Sequence, residues 1–104
     1  MVKVKKIWLD GKLVNRDSAK VHVLTNALHY GSGVFEGIRC YKTDRGGAVF
    51  RLGDHLNRLF YSAGCLGMKI PFSINELKQA VLTTIKANNS KECYIRPIMF
   101  FLRL

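Results

Sequence analysis

The stretch "GSGVFEGIRCY", residues 31–41, decides the fold because it combines a strand pattern with repeated glycine. Gly31, Gly33 and Gly37 interrupt its apolar run, and the charged residue Glu36 stands inside that run. Glycine weakens a strand, since it adds chain entropy and supplies no side chain to pack. A strand that keeps three glycines usually has another group close to its backbone. The stretch therefore predicts a strand with a close neighbour against its main chain.

One hairpin signal lies upstream of this stretch, and a second hairpin includes it. Upstream, two apolar-rich runs meet at Asp10-Gly11, a dipeptide suited to a type I′ turn. In the second hairpin, residues 34–43 are predicted as one strand, residues 44–47 as a turn and residues 48–52 as the returning strand. The segment between the two hairpins is predicted to end in a short helical turn before the glycine-rich stretch.

Two helices and a last strand follow. Asp54 is predicted to cap the start of the first helix. The apolar residues of that helix recur at helical spacing: Leu56, Leu59, Phe60 and Ala63. Ser73 and Glu76 form a capping box that begins the second helix. Residues 92–104 are predicted as a strand that runs to the end of the chain. This order predicts an α+β fold in which a largely antiparallel sheet packs with two helices.

Length and composition limit the class of protein. The chain has 104 residues, which is enough for one domain, and 48% are hydrophobic, which is enough for a core. No run approaches the ~18 apolar residues of a membrane helix, and the N-terminus lacks the apolar segment of a secretory signal. Three cysteines, Cys40, Cys65 and Cys93, are far apart and odd in number. They predict reduced thiols in a cytosol rather than a disulfide framework, and their spacing is unlike that of a metal site.

The net charge of +10 leaves several partners open. The basic residues are scattered, and the tightest group is Lys3, Lys5 and Lys6. Solvated lysines, a nucleic-acid surface, an anionic small molecule and a basic part of a longer, more acidic chain all fit this balance.

Three groups of residues carry candidate chemistry. The first is the glycine-rich strand with Phe35, Glu36, Gly37 and Arg39, and the second is Arg58, at helical spacing from His55 and Tyr61. The three histidines (His22, His29 and His55) are interpreted as structural. The third group is Tyr94 and Arg96, which share one strand face because they are two residues apart. A phenol beside a guanidinium suits a carboxylate, since arginine offers paired donors to a planar anion.

Three blocks of sequence together resemble one enzyme family. "ALHYGSGVFEGIRCY", "VFRLGDHLNRLFYSA" and "NNSKECYIRPIMF" are similar to the branched-chain amino acid aminotransferases of fold type IV, with the D-amino acid aminotransferase-like fold. The resemblance extends from about Ile7 to Phe101 and matches the small N-terminal domain of a two-domain enzyme. Relatives that use D-amino acids or aminodeoxychorismate share the Tyr-Gly start of the glycine strand but generally lack the combination of "FEGIR" and "YIRP".

The resemblance implies a cofactor and a reaction. The cofactor is pyridoxal 5'-phosphate, and Arg58 matches the residue that grips its phosphate. The reaction moves the amino group of leucine, isoleucine or valine to 2-oxoglutarate, which becomes glutamate. The lysine that forms the Schiff base with the cofactor lies in the C-terminal domain of the family, outside these 104 residues. No lysine of this chain is assigned a catalytic role.

The resemblance also implies a set of substrate-binding residues: Tyr30, Phe35, Gly37, Arg39, Tyr94 and Arg96. Tyr94 matches the residue that holds the substrate α-carboxylate, and Arg96 matches the one that accepts the distal carboxylate of glutamate. Gly37 is expected to leave room for the aliphatic side chain beside a Phe35 wall. Tyr30 is expected to close the pocket from the neighbouring subunit of a homodimer or higher homo-oligomer.

Departures from the family lead to further expectations. Asn26 stands where the family usually has a histidine, and the chain ends at Leu104 where the family continues. The sequence therefore predicts a truncated, cytoplasmic chain that binds neither nucleic acid nor membrane and is inactive alone. A basic nucleic-acid-binding module and a non-functional fragment that folds poorly remain as alternatives.

Overall fold

The computed structural model describes residues 3–101, and within them it shows an α+β fold with antiparallel strand pairs. The elements in chain order are β1 (Lys6–Leu9), β2 (Lys12–Asn15), a 3-10 turn (Arg16–Ser18), α1 (Asn26–Tyr30), β3 (Val34–Phe35), β4 (Ile38–Thr43), β5 (Gly46–Val49), α2 (Leu52–Cys65), α3 (Ile74–Ala87), β6 (Cys93–Ile95) and β7 (Ile98–Met99). The strands form three small sheets in the orders β1-β2, β3-β7 and β5-β4-β6. The predicted α+β class is confirmed, with three helices and divided sheets.

The first hairpin forms as its turn dipeptide predicts. Asp10 and Gly11 have φ values of 48° and 101°, and both residues of a type I′ turn need positive φ. Asn88, just after α3, fastens this hairpin to the rest of the fold. Its side-chain oxygen accepts from the amides of Lys5 and Lys6 at 2.7 and 2.9 Å, and its nitrogen donates to the Lys6 carbonyl at 2.9 Å.

The glycine-rich stretch is two strands, so the prediction of one strand over residues 34–43 is wrong. β3 pairs with β7, whereas β4 pairs with β5 and β6. The chain changes partner at Glu36 and Gly37, which belong to neither strand. The physical cause is long-range: each half of the stretch finds a different partner strand, and no local signal specifies which.

The last predicted strand is also divided, between β6 and β7. Arg96 and Pro97 separate them, and proline has no N–H to give to a ladder. The Pro97 carbonyl instead accepts from the Glu36 amide at 3.0 Å, which joins the two breaks to each other. The predicted end of this strand, residues 102–104, lies outside the described residues.

The two long helices differ in how they begin. Ser73 and Glu76 make both bonds of the predicted capping box: the Glu76 amide donates to the Ser73 hydroxyl at 3.1 Å, and the Ser73 amide to the Glu76 carboxylate at 3.0 Å. The predicted Asp54 cap is wrong, because α2 begins at Leu52 and its N-cap is Arg51, three residues before Asp54. Asp54 lies in the first turn, where its carboxylate accepts from Arg51 Nε at 2.8 Å.

The core lies where α2 meets β3 and the start of α3. Its buried members come from β3, α2 and the loop that follows α2: Val34, Leu56, Leu59, Ala63 and Met68. Three of the four apolar positions predicted for α2 are therefore buried, and Phe60 is half-buried. Within residues 3–101, the helices are all too short or too polar to cross a bilayer.

Candidate active site

A buried carboxylate lies at the break between β3 and β4. The Glu36 side chain is only 4% exposed, and it receives a two-pronged contact from α2. Arg58 donates from Nε to Oε2 at 2.7 Å and from Nη2 to Oε1 at 2.8 Å. His55, one helical turn earlier, places its Nδ1 2.8 Å from the same Oε1. Residues three apart on a helix share a face, which is why both side chains reach one carboxylate.

Glu36 and Arg58 each stabilise the charged form of the other. The Arg58 hydrogen bonds hold the pKa of Glu36 below its usual range, against the opposing effect of burial, and His55 adds to the lowering. The Glu36 carboxylate in turn raises the pKa of Arg58. Arg58 is nevertheless 66% exposed. A guanidinium has five N–H donors, and Glu36 accepts two of them, so three remain for an anion in front of α2.

Tyr94 lies against Gly37 at the break between β3 and β4. Arg39 of β4 and Tyr94 of β6 are directly paired, and both side chains are exposed on one sheet face. A Cβ added at Gly37 would lie 2.8 Å from Cζ of Tyr94 and closer still to its hydroxyl. The close neighbour predicted for the glycine strand is therefore the Tyr94 ring. The role predicted for Gly37, room for an aliphatic substrate, stays a prediction.

Arg96 is held by aromatic groups. Its Nη2 donates to the Tyr94 hydroxyl at 3.1 Å. Its guanidinium carbon lies 4.4 Å from the centroid of the Phe35 ring and 5.4 Å from that of Tyr94. None of the ion pairs within residues 3–101 includes Arg96. A cation over ring faces is stabilised without a counter-ion, so its charge stays available to an incoming anion.

The remaining predicted residues lie apart from these two clusters. Tyr30 ends α1 with 71% of its surface exposed, and its predicted place in a neighbouring subunit's pocket stays a prediction. Tyr61 is 75% exposed and takes no part in the Glu36 cluster. The imidazoles of His22 and His29 bond to the main chain of Leu24 and Val23, as structural histidines do. Asn26 accepts a hydrogen bond from the Ser32 hydroxyl just before β3.

Sequence reasoning missed the role of Glu36. Glu36 is predicted as part of the candidate group on the glycine-rich strand, next to Arg39 and with no assigned role. Its partners are instead Arg58 and His55, which lie 22 and 19 residues away. The signal was present. A charge inside an apolar run needs a partner if it is buried, and His55 and Arg58 share one helical face of a basic sequence.

The sequence profile of the family "Amino-transferase class IV" matches residues 33–102, more than half of the chain. That segment contains Glu36 at the break between β3 and β4, the helices α2 and α3, and strand β6 with Tyr94, which Arg96 follows. The chain belongs to this family. The predicted resemblance to the fold type IV aminotransferases is therefore confirmed.

Individual relatives agree in sequence and fold. The branched-chain-amino-acid aminotransferase of Pseudomonas aeruginosa is 50% identical over 95 residues, which are 91% of this chain and 31% of that protein. The crystal structure of the Escherichia coli branched-chain amino acid aminotransferase superposes with a TM-score of 0.93 at 45% identity, covering 95% of this chain and 33% of that one.

A third relative, from a thermophilic archaeon, carries a bound amino acid. The branched-chain aminotransferase of Thermoproteus uzoniensis, crystallised with norvaline, superposes with a TM-score of 0.90 at 47% identity, covering 94% of this chain and 33% of that one. The class IV chain described here thus spans about a third of the length of the relatives it matches.

Proposed function

We propose that this chain is the small N-terminal domain of a branched-chain amino acid aminotransferase, which moves the amino group of leucine, isoleucine or valine to 2-oxoglutarate. The observation that carries the proposal is the Arg96 guanidinium lying on the Phe35 ring and bonded to the Tyr94 hydroxyl. This cluster offers an apolar wall, a phenol and an uncompensated positive charge on one surface. The substrates of such an enzyme need all three, because leucine is apolar where glutamate carries a second carboxylate.

We propose that each side chain of the cluster binds a different part of the substrate. The Tyr94 hydroxyl is placed to donate to the α-carboxylate that every substrate shares. The Phe35 ring supports the aliphatic side chain, and Arg96 receives the distal carboxylate of glutamate. An arginine held by rings can serve glutamate without leaving an unpaired charge buried beneath leucine. Arg39, paired with Tyr94, adds a second positive charge at the edge of this surface.

The Glu36 junction fits the cofactor that the family uses. Pyridoxal 5'-phosphate, when bound, supplies the electron sink that amino transfer requires. The fit rests on Arg58. A buried carboxylate fixes its orientation, and its three unused N–H groups can donate hydrogen bonds to the oxygen atoms of a phosphate. We assign Arg58 to the phosphate and Glu36 to the positioning of Arg58. The proton transfer at the substrate α-carbon belongs to a lysine of a second domain.

The proposal extends to assembly and location. The exposed Tyr30 at the end of α1 fits a residue that completes the pocket of a neighbouring subunit, so we propose a homodimer or higher homo-oligomer. Three free cysteines fit a cytoplasmic protein.

A chimera tests the proposal. The matching segment of the Escherichia coli enzyme is replaced by this chain, and glutamate formation from 2-oxoglutarate is measured with leucine, isoleucine, valine and D-alanine as donors. The expected result is activity with the three branched-chain L-amino acids, while the 104-residue chain alone shows none. A chimera that folds and retains cofactor but transfers only from D-alanine, or from no donor, would contradict the proposal.

A further inference from the structure

Cys40 and Cys93 lie opposite each other on adjacent strands. They are direct partners in the β4–β6 pairing, and both are free thiols. Residues that pair directly in an antiparallel ladder project their side chains to the same face of the sheet. The pKa of Cys40 is raised first by burial and then by the neighbouring Cys93 thiol.

The backbone geometry of this pair is compatible with a cross-link. The Phe50 amide donates to the Arg39 carbonyl at 2.9 Å, so the backbone groups of Arg39 point toward β5. Those of the next residue, Cys40, then point toward β6, which makes Cys40 and Cys93 a hydrogen-bonded pair. The Cα atoms of such pairs are about 5.5 Å apart, within the range that disulfides span. Their Cβ atoms are about 4.5–5.5 Å apart, wider than the ~3.8 Å of a relaxed disulfide, so the bond would be easily reduced.

We propose that Cys40 and Cys93 form a reversible cross-strand disulfide, with a small-molecule disulfide such as oxidised glutathione as the oxidant. Cys93 is half-buried and Cys40 is 2% exposed, so Cys93 reacts first. Its thiolate attacks the oxidant, the oxidant's S–S bond breaks, and one glutathione leaves and takes up a proton. The Cys40 thiolate then attacks the Cys93 sulfur, and the second glutathione leaves in the same way. Two protein thiols are oxidised while one disulfide is reduced to two thiols.

The raised pKa of the Cys40 thiol makes the second step the slower one, and open space beside this thiol is what permits it. A groove of about 330 Å³ borders Cys40 between β5 and the end of α3, and Lys86 and Lys91 are among the residues that line it. Positive charge beside the groove attracts the carboxylates of glutathione. A Cβ at Gly47 would lie 2.8 Å from the Cys40 sulfur, so the glycine leaves this thiol space to turn.

The cross-link would act next to the candidate substrate surface. Arg39 and Tyr94 form the neighbouring pair of the same ladder, on the opposite face of the sheet. A covalent bond between Cys40 and Cys93 therefore fixes the separation of β4 and β6 one residue from the Tyr94 side chain.

The test uses the 104-residue chain at high dilution. It is incubated with oxidised glutathione, blocked with N-ethylmaleimide and digested with trypsin, which places the three cysteines on separate peptides: residues 40–42, 59–69 and 92–103. We expect a linked pair of the first and third peptides, two hydrogens lighter than the two thiol peptides together, while the exposed Cys65 carries maleimide or glutathione on its own peptide. Reduction with dithiothreitol should restore all three labels.

Matched variants decide between outcomes. Cys65→Ser should leave the linked peptides unchanged, and Cys40→Ser should leave a stable glutathione adduct on Cys93. The Cys65→Ser result does not depend on any change in the core. A wild-type chain that keeps glutathione on Cys93 without transfer to Cys40, or that links either residue to Cys65, would overturn the proposal. So would three maleimide groups after prolonged oxidation.

Discussion

Arg58 and Arg96 are both exposed arginines beside the junction of β3 and β4, but they are held in opposite ways. Arg58 is fixed by two bonds to the buried Glu36 carboxylate, which cancels much of its charge. Arg96 rests on Phe35 and bonds to a neutral hydroxyl, which leaves its charge intact. The two side chains meet opposite sides of one short segment, because Phe35 and Gly37 flank Glu36 in the sequence.

The difference indicates different tasks. A carboxylate partner gives arginine a fixed direction, which suits a ligand group that occupies the same place throughout a reaction cycle. Aromatic partners give support that persists whether or not an anion is present, which suits a ligand that is charged in one half-reaction and apolar in the other. In the proposed function, the cofactor phosphate is a ligand of the first kind, and the substrate side chain is a ligand of the second kind.

The largest expected effect follows removal of the fixed arginine. In the chimera, Arg58→Ala should weaken pyridoxal 5'-phosphate binding roughly tenfold or more, because a charge-assisted phosphate contact is lost. Fluorescence titration of the apoprotein measures this affinity. Arg45→Ala, in the exposed turn between β4 and β5, removes the same charge elsewhere and should leave the affinity unchanged. Equal losses in the two variants would reduce Arg58 to a general charge effect.

The aromatic-held arginine should affect one substrate only. Arg96→Ala should raise the apparent KM for glutamate by about tenfold, the value of one charged hydrogen bond, and change that for leucine little. Steady-state assays in both directions give the two constants. Equal increases for both substrates would place Arg96 in α-carboxylate binding or in general structure.

The buried carboxylate should show itself through pH. Because the pKa of Glu36 is lowered in the folded chain, its contribution to stability is complete above the usual glutamate range and is lost as pH falls through the folded pKa. Urea midpoints of the wild-type chain should therefore fall more between about pH 6 and pH 3 than those of Glu36→Gln. His55 and Arg58 are retained in both proteins. An equal fall of the urea midpoint in the two proteins at acid pH would show that Glu36 does not interact with Arg58 as described.

The smallest effect should come from the ring beneath Arg96. Phe35→Leu keeps an apolar wall but removes the ring face, a contribution of about 0.5–1 kcal/mol at an exposed site. We expect the KM for glutamate to rise about two- to fivefold, with the KM for leucine nearly constant. Phe50→Leu is the matched control, because it removes another ring, one that contacts Tyr41 of β4. A larger effect on leucine than on glutamate would mean that Phe35 acts through its shape alone.

Local signals predicted most of the fold. The Asp10-Gly11 turn and the Ser73–Glu76 box each act over a few residues, so sequence alone specifies them. The breaks at Glu36 and Arg96 escaped prediction because they depend on which strand pairs with which, and that is settled by contacts between strands far apart in the chain. The pairing of Tyr94 with Arg96 followed from strand periodicity, whereas the pairing of Glu36 with Arg58 required the approach of α2.

The hydrogen bonds of Asn88 affect the order in which parts of the molecule unfold locally. The β1-β2 hairpin shares no strand pairing with the other sheets of residues 3–101, and one amide side chain carries its three polar bonds to the end of α3. In native-state hydrogen exchange, the amides of Lys5 and Lys6 should therefore become labile together with the last turn of α3. The amides that bond between β1 and β2 should exchange at a different rate. Exchange at Lys5 and Lys6 would then measure the fraying of a helix end more than eighty residues away in sequence.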